Sequence, residues 1–421
     1  MSFHPPPIPQ PASPETEPAR LPRAGTPTPV HPLKAADPAG VDHTLVVVFL
    51  RGGADGLHMV IPCGEQAYYR QRPTLHIPAP DDVRAPREQR ALDLDGFFGL
   101  HPALAPLLPL WQAGRLACVQ ACGAPDESRS HFKAMELIER GLSQETGPSS
   151  GWLGRYLALS SPQHPSPLRA AALGEQTPRS LYGSVPAAAL RSLGDFQLGQ
   201  GPGAAAYRDA LAALYSGADS LSQRGRDTLQ MLETIRQITD QGPSWGETAY
   251  PESEFGRSLQ DLSRLIKAEI GLEVAALDIN GWDTHFAQGV LQGHMPGLMA
   301  DLSAGLAAFT EDLSDQLEHL TILVMSEFGR RAYENASLGT DHGRGGLLMV
   351  IGEGIAGGQV LGSWPGLEQD QLIGPGDLAV TTDYRDVLAA VLQRRLGCRQ
   401  IETVFPAYQP AEIALFQKDP S

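Results

Sequence analysis

The segment Thr44-Leu-Val-Val-Val-Phe-Leu50 runs without pause into Arg51-Gly-Gly-Ala-Asp-Gly56. An apolar run of this length, rich in β-branched residues and closed by glycines, reads as a strand buried on both faces. A strand of that kind belongs to a sheet covered by helices on its two sides. It also carries an acid, Asp55, into the loop at its carboxyl end, where open α/β sheets bind ligands.

The rest of the chain keeps the same rhythm. Strands are predicted over 116–121, 168–173, 273–279, 321–325 and 347–351. Helices are predicted over 104–111, 132–140, 207–215, 223–238, 259–269, 296–319 and 383–396. Strands alternating with helices predict an α/β fold, with a mostly parallel central sheet flanked by helices on both faces. With 42% hydrophobic residues in 421, the chain can bury a core of that size in one domain over 42–421. Within it, 174–255 reads as a helical insertion or a lid. Residues 1–41 are dominated by proline, with Pro5-Pro6-Pro7 and few large apolar side chains. Such a stretch cannot offset its ordering entropy and is predicted to be a disordered tail.

Several function classes are excluded at this level. A net charge of −16 and a pI of about 5.2 leave no basic footprint for nucleic acid. No segment approaches the roughly 18 consecutive apolar residues of a membrane span. The first forty residues lack the charged and apolar regions of a secretory signal, and Arg20 and Arg23 stand apart, so a cytoplasmic protein is expected. Cys118 and Cys122 share a predicted strand, where four residues extend about 13 Å, too far for a disulfide. The loop after the first strand does not match G-x-G-x-x-G, which argues against a dinucleotide site. Gly147-Pro-Ser-Ser-Gly151 matches the serine-hydrolase elbow but follows a polar stretch instead of a strand, and is read as a loop.

Five polar groups remain, all in loops beside predicted strands. Asp55 is a metal-ligand candidate, or an ordinary turn residue. In Gly281-Trp-Asp-Thr-His285, Asp283 and His285 are two apart in an extended segment and can reach one cation. Acid oxygens with imidazole nitrogens suit zinc, manganese or iron; the bland alternative is a helix cap. In Ser326-Glu-Phe-Gly-Arg330, Glu327 is placed like a ligand, and Arg330 offers a planar fork for an anion or a strand-end salt bridge. His342, in Thr340-Asp-His342, is a ligand candidate, with Asp341 as a group that orients its imidazole. Ser130 lies between a strand and a helix, as a nucleophile activated by a metal or as a helix cap. Together the clusters point to a metal-assisted hydrolytic site.

Leu-Arg-Gly-Gly-Ala-Asp-Gly-Leu, Ser-Arg-Ser-His-Phe, Gly-Trp-Asp-Thr-His, Ser-Glu-Phe-Gly-Arg and Thr-Asp-His-Gly-Arg-Gly-Gly, in that order, resemble the DUF1501 family over nearly all of 42–420. That family is similar to the alkaline phosphatase and sulfatase superfamily. The resemblance implies an alkaline phosphatase-like sheet with a two-metal hydrolytic site and a divalent cofactor such as zinc, manganese or calcium. By order along the chain it implies Asp55, Asp283, His285, Glu327 and His342 as ligands and Ser130 as nucleophile. Phe328 stands where the superfamily pattern has a histidine. The expected substrate is a small phosphate, sulfate or related anionic ester, clamped by Arg129 and Arg330. Many family members resemble substrates of twin-arginine export, so a periplasmic location is the family's alternative. A binding or assembly protein on a degenerate scaffold is the alternative from another functional class.

Overall fold

A computed structural model describes residues 43–161, 166–196, 198, 203–240 and 248–417. The Pro-rich segment 1–41 lies outside the described residues. The apolar run that opens the domain is strand β1 (Thr44–Leu50), every residue of which is buried. Because side chains alternate along a strand, Leu45, Val47 and Phe49 enter one core while Val46, Val48 and Leu50 enter another on the opposite face. Burial of each such side chain contributes about 1.5–3 kcal/mol, which is why an unbroken apolar run is stable only here.

Eight further strands complete the sheet: β2 (Leu116–Gly123), β3 (Ala170–Leu173), β4 (Ala188–Leu190), β5 (Val274–Ile279), β6 (Leu320–Met325), β7 (Gly346–Gly352), β8 (Gln359–Leu361) and β9 (Thr382–Asp383). Their order is β8-β2-β7-β6-β1-β5-β3-β4, with β9 beside β2. Only β7 runs against its neighbours, pairing antiparallel with β2 and β6; the other pairs are parallel. The expected mostly parallel sheet is therefore present.

Numbering the helices of eight residues or more, α1 is His131–Arg140, α2 Trp152–Leu159, α3 Ala204–Leu214, α4 Ser220–Asp240, α5 Glu254–Lys267, α6 His294–Asp312 and α7 Tyr384–Leu396. Helices α5 and α6 cover the Val46 face through Leu259, Leu262, Leu302 and Leu306. Helices α2 and α7 cover the Leu45 face through Leu153, Leu157, Val387 and Val391. Among the described residues no helix is long and apolar enough to cross a membrane.

Local departures have local causes. Pro106 and Pro109 remove amide donors from the segment expected as one helix, which instead splits into a 3-10 turn (Pro102–Leu107) and a short helix (Leu108–Gln112). Helix α6 stops at Asp312, and the remainder of the expected span is a separate 3-10 turn, Ser314–His319. A small sheet of Val60–Ile61, Leu92–Asp93 and Gly99–Leu100 is too short to leave a periodic signal. Helix α2 does follow the Gly147–Gly151 motif, but turns and bends precede it, as a loop requires. Cys118 and Cys122 are buried on β2 and unpaired.

Topology places the site. Strands β1, β2, β5 and β6 run in one direction, so their carboxyl ends share one edge, and the reversed β7 begins at that same edge. The loops after β1, β2, β5 and β6 and before β7 carry all the polar clusters singled out in the sequence.

Candidate metal centre

The loop after β1 makes the closest approach. Gly52 and Gly53 take φ of +122° and +68°, and a Cβ there would lie 2.5 Å from the Asp283 amide nitrogen and 2.4 Å from the Phe328 ring. Glycine is required at both places on conformational and steric grounds. The tight turn brings the Asp283 loop and the Phe328 loop against one another.

Four side chains converge there. Nε2 of His285 and Nε2 of His342 each lie 3.1 Å from Asp283 Oδ1, and Nε2 of His131 lies 3.4 Å from Asp283 Oδ2. The two nitrogens of His285 and His342 are 2.8 Å apart. Ligand atoms of His131, Asp283 and His342 all fall within 4.8 Å of one another.

What lies behind each imidazole decides its tautomer. Nδ1 of His131 donates to Glu327 Oε1 at 2.7 Å, Nδ1 of His342 to the Arg129 carbonyl at 2.8 Å, and Nδ1 of His285 to Asp341 Oδ1 at 3.1 Å. With the proton held on Nδ1, each Nε2 keeps its lone pair and points it into the cluster. Two lone pairs 2.8 Å apart repel unless a cation lies between them. Nε2 of His131 is buried and has no hydrogen-bond partner, which is the mark of a group awaiting a ligand.

Charge reinforces this state. Burial pushes the Asp283 carboxyl up, but the Arg330 guanidinium, hydrogen-bonded to it, holds it down at about 2. Burial depresses His342 below the ordinary imidazole range. Burial likewise pushes Asp341 up, and hydrogen bonds from Asn335 and His285 bring it below the carboxylate norm. Asp283 and His342 are thus in the anionic and neutral forms that bind metals at neutral pH.

Three expected assignments are corrected. Asp55 is not in the cluster: its fully buried carboxylate receives both Arg72 Nη atoms, at 2.7 and 3.0 Å, and Gln288 Nε2 at 2.8 Å. That ion pair holds Asp55 below the usual carboxylate range against the cost of burial. Glu327 stands behind a ligand, its oxygens accepting from His131, the Gly52 amide and Ser326 Oγ. Arg330 is no anion clamp, since its buried guanidinium donates to the carbonyls of Gly53, Thr340, Gly52 and Trp282 and to Asp283 Oδ1. It ties three loops together and fixes the Asp283 carboxylate.

Arg129 reaches the buried Asp377 at 2.5 Å while remaining partly exposed. Ser130 occupies the N-cap position of α1, yet its side chain makes no capping bond, and the hydroxyl is exposed beside His131. Phe328 packs against two of the imidazoles, its ring 4.9 Å from that of His131 and 4.8 Å from that of His342. With Asp55 and Glu327 otherwise engaged, the described residues assemble one ligand group and not the pair implied by the resemblance.

The sequence placed the chemistry of its segment on Ser130 and passed over His131, although its position as first residue of a helix on the carboxyl edge was signal enough. Gln288 was missed as well. Its Nε2 holds Asp55 while its Oε1 accepts from Thr284, which lies between Asp283 and His285, and from Thr340, two residues before His342. Asp341 orients His285, where the sequence suggested His342.

Comparison with solved structures shows weak likeness. The C-terminal periplasmic domain of EcEptC from Escherichia coli, in complex with Zn, is 10% identical with a TM-score of 0.30, over 75% of this chain and 74% of that one. The PsFucS1 sulfatase from Pseudoalteromonas sp. is 12% identical with a TM-score of 0.36, over 88% and 73%. The alkaline phosphatase from the Antarctic bacterium TAB5 is 8% identical with a TM-score of 0.27, over 75% and 92%. Scores of this size bear on neither activity nor substrate. No curated protein matches the chain in sequence. A family model does match, over residues 115–405, and the chain belongs to the family described as "Protein of unknown function (DUF1501)".

Proposed function

We propose that this chain is a metal-dependent hydrolase of a phosphate, sulfate or related anionic ester, with His131, Asp283, His285 and His342 holding a divalent ion. The observation that carries the proposal is the convergence of three Nε2 lone pairs on one carboxylate, each fixed by an oxygen behind its Nδ1. Three imidazoles and a carboxylate favour zinc, then manganese; calcium prefers an all-oxygen set. A bound divalent ion polarises the ester and promotes deprotonation of the attacking hydroxyl or water.

The chain's own residues supply the rest. Glu327, Asp341 and the Arg129 carbonyl hold the imidazoles in the ligating tautomer. Arg330 keeps Asp283 ionised and aimed. Ser130, exposed at the head of α1 between Arg129 and His131, is the nucleophile candidate, with the helix N-terminus favouring its anionic form. Arg129 offers the face not taken by Asp377 to the substrate anion. Within the expected insertion 174–255, residues 188–190 form strand β4 of the central sheet, and helix α3, none of whose residues is buried, is the proposed lid.

Elemental analysis together with hydrolysis of generic aryl phosphates and sulfates, assayed with zinc, manganese, calcium and magnesium, tests the proposal. A protein that holds no metal, and that hydrolyses neither ester class with any of these ions, refutes it. One observation favours a second reading, a binding protein on a hydrolase-like scaffold: both expected clamp arginines are engaged by acids or carbonyls. Stoichiometric metal lost in Asp283→Ala, with no turnover, supports that reading.

A further inference from the structure

The rim of the cluster is apolar in a way that packing does not explain. Phe132 directly follows the ligand His131 and is 86% exposed; Phe286 directly follows His285 and is 77% exposed. Each phenylalanine thus stands one residue from a side chain that reaches the Asp283 carboxylate, Phe132 on helix α1 and Phe286 in the loop after β5. Leu338 joins them, 51% exposed and bound to the Phe286 turn by hydrogen bonds from Ala287 N to the Ser337 carbonyl and from Gln288 N to its own.

Leu338 also has φ of +57°, a conformation that costs an L side chain energy and that glycine takes freely. A leucine held under strain and left in water does nothing for the core. Strained residues of this kind gather at functional sites. The neighbouring cations, meanwhile, are engaged: Lys133 by Glu145, Arg331 by Asp341 and Arg344 by Glu127. Discrimination beyond the anionic group therefore falls to apolar contact.

We infer that Phe132, Phe286 and Leu338 form an apolar collar around the cluster, and that the ester bound there carries an alkyl or aryl group of several carbons beside its anionic head. The inference rests on the reading of the cluster as an anionic-ester site. The anion seats among the ligand side chains while the hydrocarbon displaces water from the two rings and the leucine. Buried hydrocarbon supplies the affinity, and the open side of the collar tolerates variation in length.

Calorimetric binding of alkylphosphonates, from methyl to octyl, to the zinc-loaded full chain tests this without requiring turnover. Affinity should rise about two- to fourfold per added methylene over the first several carbons. In Phe132→Ser/Phe286→Ser that slope should flatten, with zinc content measured alongside to show the cluster intact. Leu338→Gly should raise the unfolding midpoint by relieving strain and still lower the octyl-to-methyl affinity ratio. Methyl and octyl compounds binding equally well would overturn the collar and leave the anionic-ester reading standing. A chain-length slope without hydrolysis would support the collar and count against the hydrolase. Failure of every phosphonate to bind overturns both. Binding of metal-free protein to phosphatidylcholine vesicles, lost in the double variant, would overturn the collar in favour of membrane docking.

Discussion

Replacing Arg72 by methionine removes the cation under Asp55 while keeping most of the volume. Arg72 donates from Nε to the Ala332 carbonyl at 2.8 Å, from Nη1 and Nη2 to Asp55 at 2.7 and 3.0 Å, and from Nη2 to the Arg331 carbonyl at 2.9 Å. Neither side chain of the pair is exposed. In Arg72→Met the carboxylate keeps only the Gln288 amide, and two buried carbonyls lose their donors. Breaking a buried pair from one side costs about 3–5 kcal/mol, a large part of a typical total of about 5–15 kcal/mol. The sign of the pH response is diagnostic. In the wild type the pair's contribution is full above the unfolded carboxylate pKa and is lost as pH falls through the lower folded value. In the variant, burial is opposed chiefly by the Gln288 hydrogen bond and raises Asp55, so its deficit should shrink on going from about pH 8 to about pH 5. Urea unfolding at both pH values measures this, and adding Asp55→Asn should recover part of the loss. A deficit below about 1 kcal/mol at the higher pH, or one that does not change with pH, would refute the reasoning.

Other outcomes are open to measurement. His342→Ala should abolish bound metal and activity together while leaving unfolding near wild type, as elemental analysis and urea titration would show. Glu327→Gln should weaken metal binding about 10–100-fold in chelator competition, because the imidazole of His131 loses its anionic acceptor. Ser130→Ala should retain metal and lose turnover; full activity would transfer the attack to water. Burial holds His43 and His58 down at about 3 and His101 at about 4, all neutral in the folded protein. Their contribution is full above the unfolded imidazole pKa of about 6.5 and is lost as pH falls from there toward the folded values, about 2 kcal/mol each by pH 5. Unfolding midpoints that are flat between about pH 7 and pH 5 would contradict this.

The scaffold was legible because its signals are local. β1 is apolar at every position since both of its faces are covered, and α1 ends at Gly141 in the left-handed conformation its sequence suggests. The convergence of Asp283, His285 and His342 followed from strand ends sharing one edge. What could not be read was which acid meets which base. Asp55 and Asp283 look alike as turn residues after strands, but only the fold shows that Arg72, 17 residues on, takes the first. Glu327 and Arg330 carry ligand-like and anion-binding side chains, and their exclusion from those roles depends on carbonyls contributed by distant loops.

The backward run of β7 divides the site by the order in which its parts can meet. Leaving β6 and entering β7 at the same edge, one short excursion brings Arg330 opposite His342 with little loop entropy to overcome. His131, by contrast, meets Glu327 across 196 residues of chain, and Arg330 meets Gly52 across 278. Of the four ligands, His342 alone is thus set in place beside Arg330 in a partly folded chain, and Asp283, His285 and His131 join it only once the central sheet has closed. Metal taken up by the finished cluster should therefore slow unfolding more than it speeds refolding, so that a chelator shortens the lifetime of the native state before it changes the rate at which that state is reached.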